Sequence, residues 1–325
     1  MTWASTSWSD SCARASWCPR DREAAAVNTA ARFFCADAAR LRNDSLAGTA
    51  PYGSIWILVE YRGGWPPNGF DGLPLEPGTK KLVFSAAQAV RARILLIRRH
   101  GRRPSDGPRR WAVLRHGSDG AHRQTWGTWE RDEDLAAIAE ALAAPGEPSA
   151  RPVVLVCAHG MHDACCAVRG RPVGRALSER WPDLVWECTH VGGDRFAANV
   201  VVVPDGVYYG NLDAASSVTA VEEHLADRVH ADHLRGYTNL FPPQQTAVAA
   251  LLSRFGPAGR HHYVVEETTR DGDRWHVRVL SRAYDAVYDV EVRSHRTPPR
   301  QLTCRGVSVS STVVHEALSI VVGRR

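Results

Sequence analysis

Residues 151–210 read RPVVLVCAHGMHDACCAVRGRPVGRALSERWPDLVWECTHVGGDRFAANVVVVPDGVYYG, and this stretch decides the fold. RPVVLVCAHG (151–160) is an apolar, β-branched run, the mark of a strand buried on both faces. RPVGRALSERW (171–181) predicts a helix with Pro in its first turn, and LVWECTH (184–190) predicts a second strand. ANVVVVPDGVYYG (198–210) is two apolar runs joined by Pro-Asp-Gly, a hairpin signal with a turn mechanism behind it. SSVTAVEEHLADRVHA (216–231) follows as an amphipathic helix, with Ser at its start as the expected cap. The order is β-α-β-β-β-α.

The same order stands upstream. SIWILVEY (54–61) is a buried-strand run, FSAAQAVRA (84–92) is helical by composition, and RILLIRR (93–99) is a second strand. RRWAVLRH (109–116) and RQTWGTWE (123–130) alternate with period two, as antiparallel strands do. DEDLAAIAEALAA (132–144) closes the series as a helix with an acidic first turn. APGEPSARP (144–152) interrupts all periodicity and marks a boundary. The expected fold is therefore α/β, two tandem thioredoxin-like domains, each a central mixed sheet flanked by helices, with a small β-rich C-terminal extension. The expected domains are a leader at 1–34, a first thioredoxin-like domain without a site at 35–146, a second with the site at 151–235, and a helix plus β-rich region at 236–325. In the last, three strand-like runs carry a polar turn at Asp271-Gly272-Asp273. Residues 1 to about 30 show no periodicity, and Cys12 and Cys18 there carry no functional weight.

Composition excludes several classes. At 44% hydrophobic and 23% charged, the 325 residues describe an ordinary globular protein. A formal charge of +5 is small for this length. The cluster Arg98, Arg99, Arg102 and Arg103 reads as solvated surface, since no nucleic-acid-binding motif accompanies it. No apolar run approaches the roughly 18–20 residues of a membrane span. The N-terminus has charge and tryptophan where a secretory signal has an apolar core. A cytoplasmic, reducing location is expected, with neither nucleic acid nor membrane as partner. The eight cysteines then point to metal or redox chemistry, not to a disulfide framework.

That chemistry concentrates around VCAHGMHDACCAV. Cys157 and Cys166, with eight residues between them, flank a loop between strand and helix, and His190 follows at the end of the next strand. Thiolate and imidazole suit a soft or borderline metal. Gly160 and the small Ala158, Ala164 and Ala167 let a loop wrap closely, and Gly192-Gly193 lets the chain turn past His190. Other residues take plainer readings. Cys35 and Cys304 read as small buried hydrophobes and Asp163 as a turn cap; His159 and His162 are further candidate ligands, with His159 better read as a hydrogen-bonding loop residue. Arg195 and Asn199 read either as groups behind the site or as surface charge and strand start, and Tyr208 and Tyr209 as strand packing.

CAHGMHDACCAVRGRPVGRAL, then CTHVGGDRFAANVVVVPDGVYYG, with DSLAGTAPYGSIWILVEYRGGW upstream, resembles the sucrase/ferredoxin-like family of bacterial proteins and fungal actin-patch relatives, over roughly residues 35–230. The resemblance implies a thioredoxin-like domain with a [2Fe-2S] cluster, one-electron transfer and a redox partner protein that the sequence does not identify. No residue supports sugar hydrolysis. The resemblance places the two cysteine ligands on Cys157 and Cys166. The histidine, three residues, histidine of the fungal relatives falls on His190 and Asp194, so the second histidine is replaced by a carboxylate. Cys188 and Cys165 are the alternatives for that fourth ligand. Three other readings compete: a thiol–disulfide oxidoreductase, although Cys-x-x-Cys is absent and only the vicinal pair Cys165-Cys166 stands in its place; a structural zinc site of Cys157, Cys166, Cys188 and His190; and a binding module with a vestigial site.

Overall fold

One ten-stranded sheet runs through both β-α-β-β-β-α series in the computed structural model, which describes residues 32–101, 107–117, 121–149 and 151–323. Cys12, Cys18 and most of the expected leader lie outside the described residues. After helix α1 (Cys35–Leu41), strand β1 (Ile55–Glu60), helix α2 (Pro77–Ala89) and strand β2 (Arg93–Arg98) form a crossover unit whose strands pair in parallel. Strands β3 (Arg109–His116) and β4 (His122–Trp129) add antiparallel on the other side of β1, and helix α3 (Ala137–Ala143) covers them. The two-residue β5 (Glu147–Pro148) pairs with β4 inside the interrupting segment.

The second series repeats this plan. Strand β6 (Val153–Cys157), helix α4 (Ala164–Arg180) and strand β7 (Val185–Cys188) form the parallel unit. Strands β8 (Val200–Val203) and β9 (Val207–Tyr209) form the hairpin around Pro204-Asp205-Gly206, and helix α5 (Ala214–Leu225) closes it. The strand orders β2-β1-β3-β4 and β7-β6-β8-β9 are equivalent. The halves meet where β2 and β7 pair antiparallel, Ile97 against Cys188 and Arg98 against Glu187. The tandem α/β plan expected from the sequence is thus present, with one sheet shared between the halves.

Several boundaries differ from the sequence expectation. Helix α4 starts seven residues earlier than 171, and Pro172 lies inside it. Its start is set by Asp163, whose carboxylate accepts the Cys165 N–H at 2.8 Å. Gly170 lets α4 press onto the sheet, since a Cβ there would stand 2.0 Å from the Cys157 carbonyl oxygen. Helix α2 begins at Pro77, seven residues before the expected 84, because Glu76 accepts from the Gly78 and Thr79 N–H groups. In α5 the cap is Asp213, and Ser216 completes a reciprocal pair: each side chain accepts the other's backbone N–H, at 2.8 and 2.9 Å.

Beyond residue 233 a strand appears where a loop was expected. Strand β10 (Leu234–Tyr237) pairs with β9 at the sheet edge. Helix α6 (Pro242–Phe255) then lies between the large sheet and a second one. That second sheet is antiparallel: β11 (Tyr263–Asp271), β12 (Arg274–Ser281) and β13 (Ala286–Arg296) match the three expected runs. After the short pair β14 (Arg300–Gln301) and β15 (Val309–Ser310), an unexpected fourth strand, β16 (Val313–Val322), joins β13. Val248 and Leu252 of α6 share one core with Val279 and Val290 of this sheet, Val221 of α5 and Leu234 of the large sheet. No helix among the described residues is long and apolar enough to cross a membrane.

At the end of β3, His116 packs beside His122 and His261, with ring centroids at 5.4 and 6.2 Å. Burial, reinforced by Arg260 and the two histidines and only partly offset by Asp205, pushes its pKa down to about 4. The folded state therefore resists a proton that the unfolded chain accepts near pH 6.5. The resulting stability is present above about pH 6.5 and is lost as the pH falls toward 4. A urea midpoint lower at pH 4.5 than at pH 7 is expected, with His116→Asn reducing the drop. A drop unchanged in that variant would contradict the assignment.

Candidate metal centre

Parallel strands present their carboxyl ends to one crevice, and in this fold such crevices receive ligands. Strands β6 and β7 end side by side there, with Cys157 and Cys188 as register partners. The loop after β6 returns through the first turn of α4, which carries Cys166. The loop after β7 carries His190 and, after Gly192-Gly193, Asp194. Donor atoms of Cys157, Cys166 and His190 lie within 4.8 Å of one another. Asp194 closes the group: its Oδ1 is 2.9 Å from His190 Nδ1 and 3.6 Å from Cys166 Sγ. Cys166 Sγ lies 3.8 Å from the same imidazole nitrogen. All four residues singled out from the sequence therefore meet in one place.

The two alternatives for the fourth position go elsewhere. Cys188 is fully buried among Trp56, Leu58 and Ile97, and its sulfur does not join the group. Burial pushes its thiol pKa up, which keeps it protonated. Cys165 turns away from Cys166 toward Cys35 and Cys304.

The site's charges are mutually arranged. A hydrogen bond from Cys166 holds the Cys157 thiol well below its ordinary range; burial opposes this, and His190 adds to the lowering. The same pairing and burial push Cys166 up, so a proton resides on Cys166. Burial disfavours the charged His190 ring, but hydrogen bonds to Asp194 and Cys157, with their negative charge, raise its pKa to about 9. Asp194 is held low, since burial is outweighed by the bond to His190 and its charge. Thiolate, imidazolium and carboxylate thus sit together, and a metal cation entering would displace the protons of Cys166 and His190.

Neighbouring residues fix these groups. His159 is buried and uses both ring nitrogens on backbone: Nδ1 accepts the His190 N–H at 3.3 Å, and Nε2 donates to the Pro66 carbonyl at 2.9 Å. His162 stacks on the His190 ring with centroids 3.7 Å apart. Both imidazoles, with Thr189 and Arg305, line a cavity of about 530 Å³ that opens on this edge of the site. Asn199 is fully buried and donates to the Gly193 carbonyl at 2.9 Å, while Arg195 lies over the Phe196 ring. Tyr208 and Tyr209 are buried strand residues, and Tyr208 also accepts from Arg93 at 3.4 Å.

Arg235 on β10 is the functional residue that sequence reasoning missed. Its buried guanidinium donates to the Gly192 carbonyl at 2.8 Å, Asn199 Oδ1 at 2.9 Å, and Thr49 Oγ1 and carbonyl at 3.0 and 2.6 Å. It therefore pins the loop that delivers His190 and Asp194. Gly193 makes room for it: φ is +79°, and a Cβ would stand 2.5 Å from Arg235 Nη2. Leu-Arg-Gly-Tyr has no periodicity that separates this arginine from the others, so no local signal was available.

The donor set of two sulfurs, one imidazole and one carboxylate, largely enclosed, fits a soft or borderline metal group. No curated protein and no solved structure matches the chain. The model of the sucrase/ferredoxin-like family matches residues 46–236, which include the whole site and both β-α-β-β-β-α series up to β10. The chain belongs to the sucrase/ferredoxin-like family.

Proposed function

We propose that Cys157, Cys166, His190 and Asp194 hold a [2Fe-2S] cluster and that the protein is a cytoplasmic one-electron carrier serving a redox partner protein. The observation that carries this reading is the convergence of these four side chains from the end of β6, the first turn of α4 and the loop after β7. When bound, such a cluster accepts and returns single electrons at a potential raised by imidazole ligation. Cys157 and Cys166 bind from a strand end and a helix turn, both rigid. His190 and Asp194 bind from the loop that Arg235 and Asn199 hold. The Cys157 and Cys166 side is sealed in the core, whereas the His190 ring, at 19% exposure, borders the cavity shared with His162. That edge is where a partner would approach.

The split of Cys165 and Cys166 into separate groups argues against a vicinal dithiol working as an oxidoreductase. A single zinc ion is the second reading, favoured by the compactness of the Cys157, Cys166 and His190 donor atoms, which lie within 4.8 Å of one another, with Asp194 beside His190 and Cys166. Anaerobic reconstitution with iron and sulfide separates the two. A reddish-brown protein with an EPR signal after reduction is expected. A colourless protein that takes up zinc but no iron would overturn the iron–sulfur reading.

A further inference from the structure

The cysteines that read as small hydrophobes are not scattered through the core. Cys35 at the start of α1, Cys165 in the first turn of α4 and Cys304 in the loop between β14 and β15 come together with Asp163. Cys304 Sγ lies 3.3 Å from Cys165 Sγ and 3.5 Å from Cys35 Sγ. Asp163 Oδ1 lies 3.8 Å from Cys35 Sγ. These four residues share none with the centre described above, although Cys165 and Cys166 are adjacent in sequence. Cys35 and Cys304 also lie outside the matched residues 46–236.

We infer that Cys35, Cys165, Cys304 and Asp163 form a second metal site, a structural zinc centre that fastens the C-terminal region and α1 to the start of α4. The geometry points to one tetrahedral ion. Sulfurs at about 2.3 Å from zinc stand about 3.8 Å from one another, close to the separations found here. A disulfide would need about 2.05 Å and would leave the third thiol and the carboxylate without a purpose. The polar surroundings are those of ligated sulfur. The Ala36 N–H donates to Cys165 Sγ at 3.4 Å and the Cys35 N–H to Cys304 Sγ at 3.3 Å.

Asp163 is oriented before any ion arrives. Its Oδ2 accepts from the Cys304 N–H at 2.7 Å and Thr303 Oγ1 at 2.8 Å, and its Oδ1 accepts from the Cys165 N–H at 2.8 Å and the Cys35 thiol at 3.8 Å. The Oδ1 lone pair that meets the Cys35 thiol faces the sulfurs and is freed for an ion when that thiol loses its proton. Three thiolates and a carboxylate around zinc carry net negative charge, and Arg40 and Arg195 lie within electrostatic reach of Cys165 and Cys35. Each thiol that ligates releases its proton to solvent, and no electron is transferred. Cys35, the Asp163–Cys165 turn and Cys304 stand 128 to 269 residues apart, so the ion closes long loops, the case in which a cross-link constrains the unfolded chain most.

The test uses the full chain, supplied with zinc and with iron. About one zinc per chain is expected, and zinc-edge X-ray absorption of the unmutated protein should show about three sulfurs near 2.3 Å and one oxygen near 2.0 Å. Cys304 is partly exposed, so Cys304→Ser should fold, and its zinc affinity should fall about tenfold or more. Iron and sulfide in the same sample report on the other centre separately. The inference is overturned if no zinc is retained, if the shell shows two sulfurs and imidazole, or if zinc survives Cys304→Ser undiminished. A disulfide between Cys304 and either Cys35 or Cys165 in freshly isolated protein would overturn it equally.

Discussion

Cys157→Ala and Cys166→Ala are each expected to lower iron per chain about tenfold or more after reconstitution, because a cluster held by two thiolates does not survive loss of either. The thiolates come from the most rigid parts of the site, the last residue of β6 and the first turn of α4. Among the described residues no other sulfur groups with Cys157, Cys166 and His190. Cys188, the nearest sulfur by sequence to the second loop, is packed in the core and outside the donor group. Cys188→Ala should therefore keep its iron and its spectrum. Asp194→Ala should retain some iron with an altered reduced spectrum, since a carboxylate leaves one position that water can fill. Iron content by elemental analysis and EPR of the reduced protein read all four variants. If Cys188→Ala lost the cluster while Asp194→Ala kept the unmutated spectrum, the ligand assignment would be wrong.

Arg235→Met should destabilise the protein by about 3 kcal/mol or more, an effect as large as a typical core truncation. The guanidinium is 1% exposed and has no carboxylate among its hydrogen-bond partners; carbonyls, Thr49 and Asn199 share its charge. Burial lowers its pKa to about 10, so it remains protonated at neutral pH. Methionine retains an apolar stem but removes the guanidinium carbon that stands 5.3 and 5.4 Å from the Phe196 and Tyr208 ring centroids, and it strands the acceptors at Thr49, Gly192 and Asn199. Urea unfolding of the metal-free variant isolates this effect from metal binding. Arg235→Lys keeps the charge without the fork and should recover only part of the loss. A change under about 0.5 kcal/mol would show that the loop is held by other means.

The β-α-β-β-β-α series is legible in the sequence because buried parallel strands write themselves as runs such as VVLV, and Pro-Asp-Gly marks the hairpin. Helix starts were misplaced where the cap was not a usual one, as at Glu76, or where an interior proline resembled a start, as at Pro172. The pairing of β2 with β7 leaves no local trace, since it depends on which edge each unit leaves open. Strand β10 is short, contains Gly236 and a buried arginine, and exists through its pairing with β9. Strand β16 is largely exposed, so it lacks the apolar alternation that reveals a half-buried strand.

The candidate centre was readable because Cys157, Cys166, His190 and Asp194 fall in two short segments at or just after strand ends. The grouping of Cys35, Cys165 and Cys304 was not, because residues so far apart in sequence are joined only by the finished fold. Arg235 was missed for the same reason.

The iron and acid-labile sulfide content of the anaerobically reconstituted chain, with the electrons taken up in a reductive titration, tests whether Cys157, Cys166, His190 and Asp194 hold a binuclear iron–sulfur cluster. About two iron atoms, two sulfides and one electron per chain are expected. A chain that carries zinc at this centre, with no labile sulfide and no electron uptake, would contradict it.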